Sequence, residues 1–373
     1  MIYFDNAATT FKKPKSVYRR LNNYLKKECG NPGRSSHYLA AKSAEYVYEA
    51  RYNTARLFNI TNPENVVFTM NATYALNMAI KTLLHEKCHI IISDVEHNSV
   101  MRPVHALCEN TGSDYSVFNS NSENIFFEIE KHIRPDTKAI ISTLISNVDG
   151  REISFFALSE LKKKYNLKLI IDASQAAGHK SIDLGKYAYD AVAMPGHKGL
   201  FGIQGAGICI FSENPQKSFV EGGSGIDSKS LTMPKYLPEG LEAGTLPTPA
   251  IIALNAGIEY ILSVGVTVVD KKLEVLTEAL RERLVDNKSV IIYGSNNGII
   301  SFNINGIGCE KVAALLDEKK IYTRAGLHCA PLAHTTLGTQ SCGTVRASLS
   351  IMNTLNEVDA FSHAVKLICK NDI

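Results

Sequence analysis

Five short runs of apolar, largely β-branched residues punctuate the first two-thirds of the chain, at 89–94, 139–145, 168–172, 190–194 and 207–211. They constrain the fold more than any other feature. Runs this continuous suit strands buried on both faces of a sheet. Between them lie helical spacings: Leu76, Ala79, Ile80, Leu83 and Leu84 in one segment, Leu158, Leu161 and Tyr165 in another. Alternation of the two patterns predicts an α/β architecture with a mostly parallel sheet. Residues 221–240 are rich in Gly, Ser and Pro, have no period, and read as a long loop. Beyond it, helices are expected at 250–264, 268–286, 309–319 and 356–369, with short strands at 290–293, 299–303 and 345–350. This last third reads as a smaller α+β unit. A chain of 373 residues suits two domains, expected as a large one at 16–248 and a small one built from 1–15 and 249–373.

Charge and cysteine usage narrow the function. Lys plus Arg is 40 and Asp plus Glu is 37, a net charge of +3, so no electrostatic footprint for nucleic acid is expected. Eight cysteines with no Cys-x-x-Cys pair argue against a disulfide scaffold and weaken a structural zinc reading. The start, Met1-Ile2-Tyr3-Phe4-Asp5-Asn6, has no basic and then apolar stretch, and no run approaches the ~18 apolar residues of a membrane span. The expectation is a cytoplasmic protein with reduced thiols and no membrane partner.

In open α/β sheets, ligands bind beyond the carboxyl ends of the strands. Four predicted strands end in chemistry-bearing residues: Glu96-His97-Asn98, Asn147, Asp172 with Ser174 and Gln175, and Gly196-His197-Lys198. Each alone has a plain explanation. A lone Asp after a strand is most often a cap or turn residue, and a lone Lys a solvated surface group. Four together predict one crevice. An Asp and a Lys at neighbouring strand ends suggest pyridoxal phosphate, which needs a lysine for its aldehyde and a carboxylate for its pyridine nitrogen. Asn71-Ala72-Thr73, ahead of a helix expected at 74–84, suits its phosphate, with Thr73 as a plain helix cap the simpler alternative. Two competing readings fail. His328, Cys329, His334 and Cys342 match no standard zinc spacing. Gly199, Gly202, Gly205 and Gly207 precede a strand and lack the dinucleotide order, so they read as a close-approach loop after the lysine.

Here the residues carry a resemblance. The blocks Tyr3-Phe4-Asp5-Asn6-Ala7-Ala8-Thr9, Asn31-Pro32-Gly33-Arg34-Ser35-Ser36-His37, Asn71-Ala72-Thr73, Glu96-His97-Asn98-Ser99, Asp172-Ala173-Ser174-Gln175, Gly196-His197-Lys198, Glu242-Ala243-Gly244-Thr245, Arg324-Ala325-Gly326-Leu327-His328-Cys329-Ala330 and Val345-Arg346-Ala347-Ser348-Leu349 run almost end to end. In this order they resemble the fold-type-I pyridoxal phosphate enzymes of aminotransferase class V, and within them the cysteine desulfurases. The resemblance implies that Lys198 binds the cofactor and moves the α-proton, that Asp172 pairs with the ring nitrogen and Gln175 with the ring oxygen. It implies that His97 stacks on the ring as a local acid or base, and that Ala72, Thr73 and His197 hold the phosphate. Thr245 would reach the phosphate of a neighbouring subunit, which implies a homodimer with shared sites. Ala7, His37, Asn147, Arg324 and Arg346 would line the substrate side, with Arg346 taking the carboxylate as a fork. Cys329 would be the nucleophile that accepts sulfur from L-cysteine and passes it to an acceptor protein or thiol.

A thiolate is favoured by nearby positive charge. Cys329 stands beside His328 and five residues after Arg324, in a loop with Gly326 and Pro331. The other seven cysteines read as small hydrophobes, with Cys342 the one candidate for a resolving thiol. With no long insertion before Arg346, the segment looks like the short-loop class of these enzymes. The chain departs from the family at Pro195, where a hydroxyl residue is usual, and at Gly202-Ile203-Gln204-Gly205. Gly222-Gly223-Ser224-Gly225-Ile226-Asp227-Ser228 resembles a less-studied branch rather than the iron–sulfur one. Two alternatives stay open: a selenocysteine lyase or cystine β-lyase on the same scaffold, and a non-enzymatic scaffold, which only Pro195 supports.

Overall fold

The computed structural model describes residues 1–33, 37–215, 217–226 and 228–371. The motif residues Arg34, Ser35, Ser36 and Asp227 lie outside these. Among the described residues, the strands in chain order are β1 (Ile2–Tyr3), β2 (Val66–Thr69), β3 (His89–Ser93), β4 (Asp114–Phe118), β5 (Thr137–Thr143), β6 (Lys168–Asp172), β7 (Ala191–Pro195), β8 (Gly207–Phe211), β9 (Val290–Asn296), β10 (Ile299–Ile304), β11 (Ile321–Tyr322), β12 (Arg324–Gly326) and β13 (Thr344–Ser348). Seven of them form one mixed sheet in the order β2-β8-β7-β6-β5-β3-β4. The pairs from β7 through β4 are parallel, and β8 runs antiparallel to both neighbours. The α/β reading therefore holds, with an antiparallel edge added.

The apolar runs explain why this sheet sits at the centre. Ile90, Ile91, Ile92, Ile140, Ile141, Ile170 and Ile171 are all fully buried, because helices cover both faces. Each such side chain contributes about 1.5–3 kcal/mol relative to exposure. The run at 139–145 ends earlier than its composition suggests. Strand β5 stops at Thr143, whose hydroxyl turns back to the Ile145 carbonyl at 2.9 Å.

The second sheet, β12-β13-β10-β9, is antiparallel throughout. It lies in the last third, where short strands were expected. The N-terminus reaches the same region from afar: β1 pairs with β11 in a separate two-stranded sheet, and Asp5 bridges to Ser348 of β13. One continuous hydrophobic core runs from Phe4 and Ile171 to Phe302, Val345 and Phe361. Residues 221–226 and 228–240 carry no helix or strand, as the long-loop reading expects. No single helix among the described residues is long and apolar enough to cross a membrane, and the most apolar one, Thr248–Val264, packs into the core.

Candidate active site

The carboxyl ends of β3, β5, β6 and β7 open onto one cavity of about 110 Å³. Its walls include Ala72, Thr73, His97, Asn147, Asp172, Gln175, His197 and Lys198, so the four strand ends do converge.

Lys198 follows β7, and the backbone around it is tightly packed. A Cβ on Gly199 would stand 2.3 Å from the Ala177 carbonyl oxygen, so only glycine fits there. Burial pulls the Lys198 amine down to about 8; Arg346 and Arg324 push the same way and Asp172 opposes them. The amine thus keeps an accessible neutral form near neutrality. Asp172 is buried at the end of β6, and its Oδ1 accepts the Ser174 amide at 2.8 Å. Gln175 Nε2 donates to the Ala7 carbonyl at 3.1 Å, which ties the N-terminal segment to this floor.

His97 caps the helix Asn98–Thr111. Its Nδ1 accepts the Ser99 amide at 3.0 Å and lies 2.8 Å from the Ser99 hydroxyl. A ring nitrogen that accepts from an amide carries no proton, so the neutral ring holds its proton on Nε2. Burial pushes His97 down to about 4, with Lys198, Arg324 and Arg346 adding to it and Asp172 opposing. At neutral pH, His97 is therefore a hydrogen-bond donor at Nε2. Of the two roles expected of His97, acid or base, this arrangement suits the acid, with Nε2 holding the proton.

A second group of donors lies at the start of the helix Ala72–Leu83. The cap is Asn71, whose Oδ1 takes the Tyr74 amide at 2.9 Å, so the simple reading of Thr73 as cap is corrected by two residues. The amides of Ala72 and Thr73, in the first turn, have no acceptor within the helix. The hydroxyls of Thr73 and Ser99 are 2.8 Å apart. His197 Nδ1 is buried without a partner, and burial beside Lys198 and Lys13 pushes its ring down to about 4. Pro195 lines the same cavity with neither hydroxyl nor amide hydrogen.

The opposite wall comes from the second sheet. Arg346 on β13 is 1% exposed; it donates to the Asn147 carbonyl and to Asp5 Oδ1, both at 2.9 Å. Its Nε is buried without a partner. Arg324 on β12 is the register partner of Arg346, so two guanidinium groups stand on adjacent strands. Arg324 Nη2 lies 3.6 Å from the exposed Cys329 sulfur. Asn147 links the two walls, because its Nδ2 donates to the His328 carbonyl at 2.8 Å.

The expected contribution of His328 to the thiol's positive surroundings is overturned. The ring is buried, held by Thr344 at 3.1 Å, and pushed by burial and by Arg346 down to about 2. It is neutral, and the positive charge beside the sulfur is that of Arg324. The reading of the other cysteines as hydrophobes also needs correction, since Cys29 and Cys342 are exposed and Cys108 is partly so. Of the expected site residues, Ala7, Arg324, Cys329 and Arg346 do not line the cavity themselves, though Ala7 and Arg346 bond Gln175 and Asn147, which do; His37 and Thr245 stand apart from it. His37 is exposed and caps the helix Tyr38–Phe58 through the Ala40 amide. Thr245 is exposed and lines a separate groove with Asn31, Gly33 and Ile226.

Sequence reasoning missed Asp5, Ser99 and Glu96 as site residues, although all three stand inside motif blocks it had singled out. Glu96 is fully buried; one oxygen accepts the Ser93 hydroxyl and the Thr143 amide, and the other has no partner. Burial pushes its carboxyl up to about 8, with Asp172 adding to the shift.

Residues 2–361 match the profile of the Aminotransferase class-V family, and the chain belongs to that family. Probable cysteine desulfurases from Streptomyces coelicolor, Methanothermobacter thermautotrophicus and Pyrococcus abyssi are each 30% identical to it. The matches cover 96%, 98% and 100% of this chain and 90%, 94% and 95% of theirs. The fold is that of the fold-type-I pyridoxal phosphate enzymes. An apo cysteine desulfurase from Thermococcus onnurineus NA1 superposes with a TM-score of 0.90 at 29% identity, covering 99% of this chain and 94% of that one. A cysteine desulfurase from Escherichia coli, at 24% identity and a TM-score of 0.89, shares the fold.

Proposed function

We propose that this chain is a pyridoxal phosphate-dependent cysteine desulfurase that converts L-cysteine to L-alanine and leaves a persulfide on Cys329. The observation that carries the proposal is the exposed Cys329 thiol, 3.6 Å from Arg324 and joined through Asn147 to the cavity of Lys198 and Asp172.

The cavity's donor set fits the cofactor. The unpartnered His197 Nδ1, the free amides of Ala72 and Thr73 and the Thr73 hydroxyl suit a phosphate. Lys198 would hold the aldehyde carbon, Asp172 the ring nitrogen and Gln175 the ring oxygen, with His97 against the ring. When bound, the cofactor supplies a cationic ring that stabilises negative charge at the substrate α-carbon. The protein's own groups do the rest. Arg346 turns its unpartnered Nε edge to the substrate carboxylate while Asp5 and Asn147 fix its other edge. Lys198 Nζ takes the α-proton. The Cys329 thiolate attacks the substrate sulfur; the S–S bond forms as the C–S bond breaks, and the carbon fragment, reprotonated, leaves as alanine. An acceptor protein or thiol then removes the outer sulfur. The exposed Thr245 suits a role at a neighbouring subunit's phosphate, in a homodimer with shared sites.

The test supplies cysteine, selenocysteine and cystine separately and quantifies alanine, pyruvate and sulfide or selenide. Alanine from cysteine, lost in Lys198→Ala and Cys329→Ala, is the expected result. Pyruvate as the main product would replace this reading with a β-lyase. Alanine from selenocysteine alone, surviving Cys329→Ala, would replace it with a selenocysteine lyase.

A further inference from the structure

The link between β12 and the helix Pro331–Thr336 is a four-residue turn, closed by the Ala330 amide donating to the Leu327 carbonyl at 2.9 Å. Its two central residues, His328 and Cys329, have φ of +49° and +57°. Two successive positive φ angles are the mark of a type I′ turn, whose usual occupants are Asn and Gly because a Cβ crowds the backbone there. Histidine and cysteine gain nothing from this geometry themselves, so contacts from outside must hold it.

Three such contacts come from three different elements. The Asn98 amide donates to the Cys329 carbonyl at 2.7 Å. Asn147 Nδ2 donates to the His328 carbonyl at 2.8 Å. The third is the His328 ring, which reaches β13: Nε2 stands 3.1 Å from the Thr344 carbonyl. A carbonyl only accepts, so Nε2 carries the proton and the unpartnered Nδ1 carries none. The ring is 3% exposed, whereas the next residue's sulfur faces solvent.

We propose that His328 is a positioning residue for Cys329: its ring, anchored to Thr344, holds the left-handed turn that keeps the sulfur against Arg324. This rests on reading Cys329 as the sulfur acceptor, but it concerns the thiol's surroundings and is measurable without turnover. The charged groups facing this region are Arg324 on β12 and Arg346 on β13, with Asp5 on Arg346 and Lys198 and the carboxylate Asp172 across the cavity; the His334 ring centre lies 5.5 Å from that of His328, and burial pushes its pKa down. His97 and His328 are neutral. Arg324 supplies the charge, and His328 decides whether the sulfur sits beside it.

The experiment measures iodoacetamide alkylation of Cys329 against pH by peptide mass spectrometry, with the exposed Cys342 in the same molecule as reference. In His328→Ala, Cys329 alkylation at neutral pH should be about tenfold slower, because the sulfur no longer sits beside Arg324, with Cys342 unchanged. His328→Gln, whose amide can donate to Thr344, should recover most of the rate. His328→Ala combined with Arg324→Gln should be no slower than Arg324→Gln alone, because both act through one contact. A Cys329 profile in His328→Ala that superposes on the wild type, or effects of the two substitutions that multiply, would overturn the proposal. If His328→Ala disturbs Cys342 as well, His328→Asn decides, since asparagine accepts positive φ but is too short to reach Thr344. A wild-type Cys329 profile in His328→Asn overturns the proposal, and a slower one supports it. Failure of the desulfurase reading shows up separately, as no alanine from cysteine in a wild-type protein whose Cys329 profile behaves as described.

Discussion

The floor and the wall of the candidate site are built in opposite ways. The floor, with His97, Asp172 and Lys198, is made of residues that leave parallel strands at the same edge of one sheet. Its side chains come within reach because the strands are in register, and each is set by its own strand end. The wall, with Arg346, Arg324 and Cys329, depends on pairings between distant segments. Arg346 is held by Asp5 and Asn147, and the Cys329 turn by Asn98, Asn147 and Thr344. The floor is therefore a local consequence of the sheet. The wall exists only when the two sheets and the N-terminal segment are in place together.

That difference predicts separable failures. The largest effect should come from Lys198→Ala, which should remove covalent cofactor attachment and lower alanine formation at least ~10³-fold, read by visible absorbance and product assay. Cys329→Ala should abolish alanine formation from cysteine just as fully in practice, yet leave cofactor titration unchanged. A changed cofactor affinity would break the distinction between floor and wall. Asp5→Asn removes a charged acceptor from the buried Arg346. It should raise KM for cysteine more than it lowers kcat, and cost about 1.5–3 kcal/mol in denaturant unfolding. Glu96→Gln concerns the floor alone. The Glu96 carboxyl is pushed up to about 8 in the folded state, so its contribution to stability is full below its ordinary range near 4.5 and is lost as pH rises through about 8. The glutamine variant should lack that decline, and parallel slopes in both proteins would sink this account. The smallest effect is expected from His37→Ala, which removes an exposed cap and should cost about 0.5–1 kcal/mol with no change in cofactor titration. A large loss of turnover would place His37 at a site across a subunit contact.

The same contrast explains what could be read from sequence. Ile90–Ile92 and Ile170–Ile171 announce central strands because both faces are buried. Strand β4 escaped notice because it is an edge strand whose Asp114 and Tyr115 are exposed, which interrupts any apolar run. Strand β2, with only four residues, is too short to show a period. Lys198 and Asp172 were legible as strand-end residues. The opposition of Arg324 to Arg346 was not, since register across twenty-two residues leaves no local trace. Thr73 offers itself as an alternative cap because a hydroxyl and an amide cap equally well, but Asn71 stands two residues nearer the strand and takes that place. The neutrality of His328 depends on burial, which residue type alone does not reveal.

The bond from Asp5 to Arg346 joins the first and last parts of the chain to be made. A ribosome adding ~5–20 residues per second releases the N-terminal segment roughly 20–70 s before residue 346 exists. Through that interval the large sheet can form and fill its floor, and the N-terminal segment can dock on it through Ala7 and Thr10, but Asp5 has no Arg346 to meet. The wall is thus completed after the floor, and a nascent chain holds Asp172 and Lys198, proposed to hold the cofactor, before it holds Arg346, proposed to grip the substrate carboxylate.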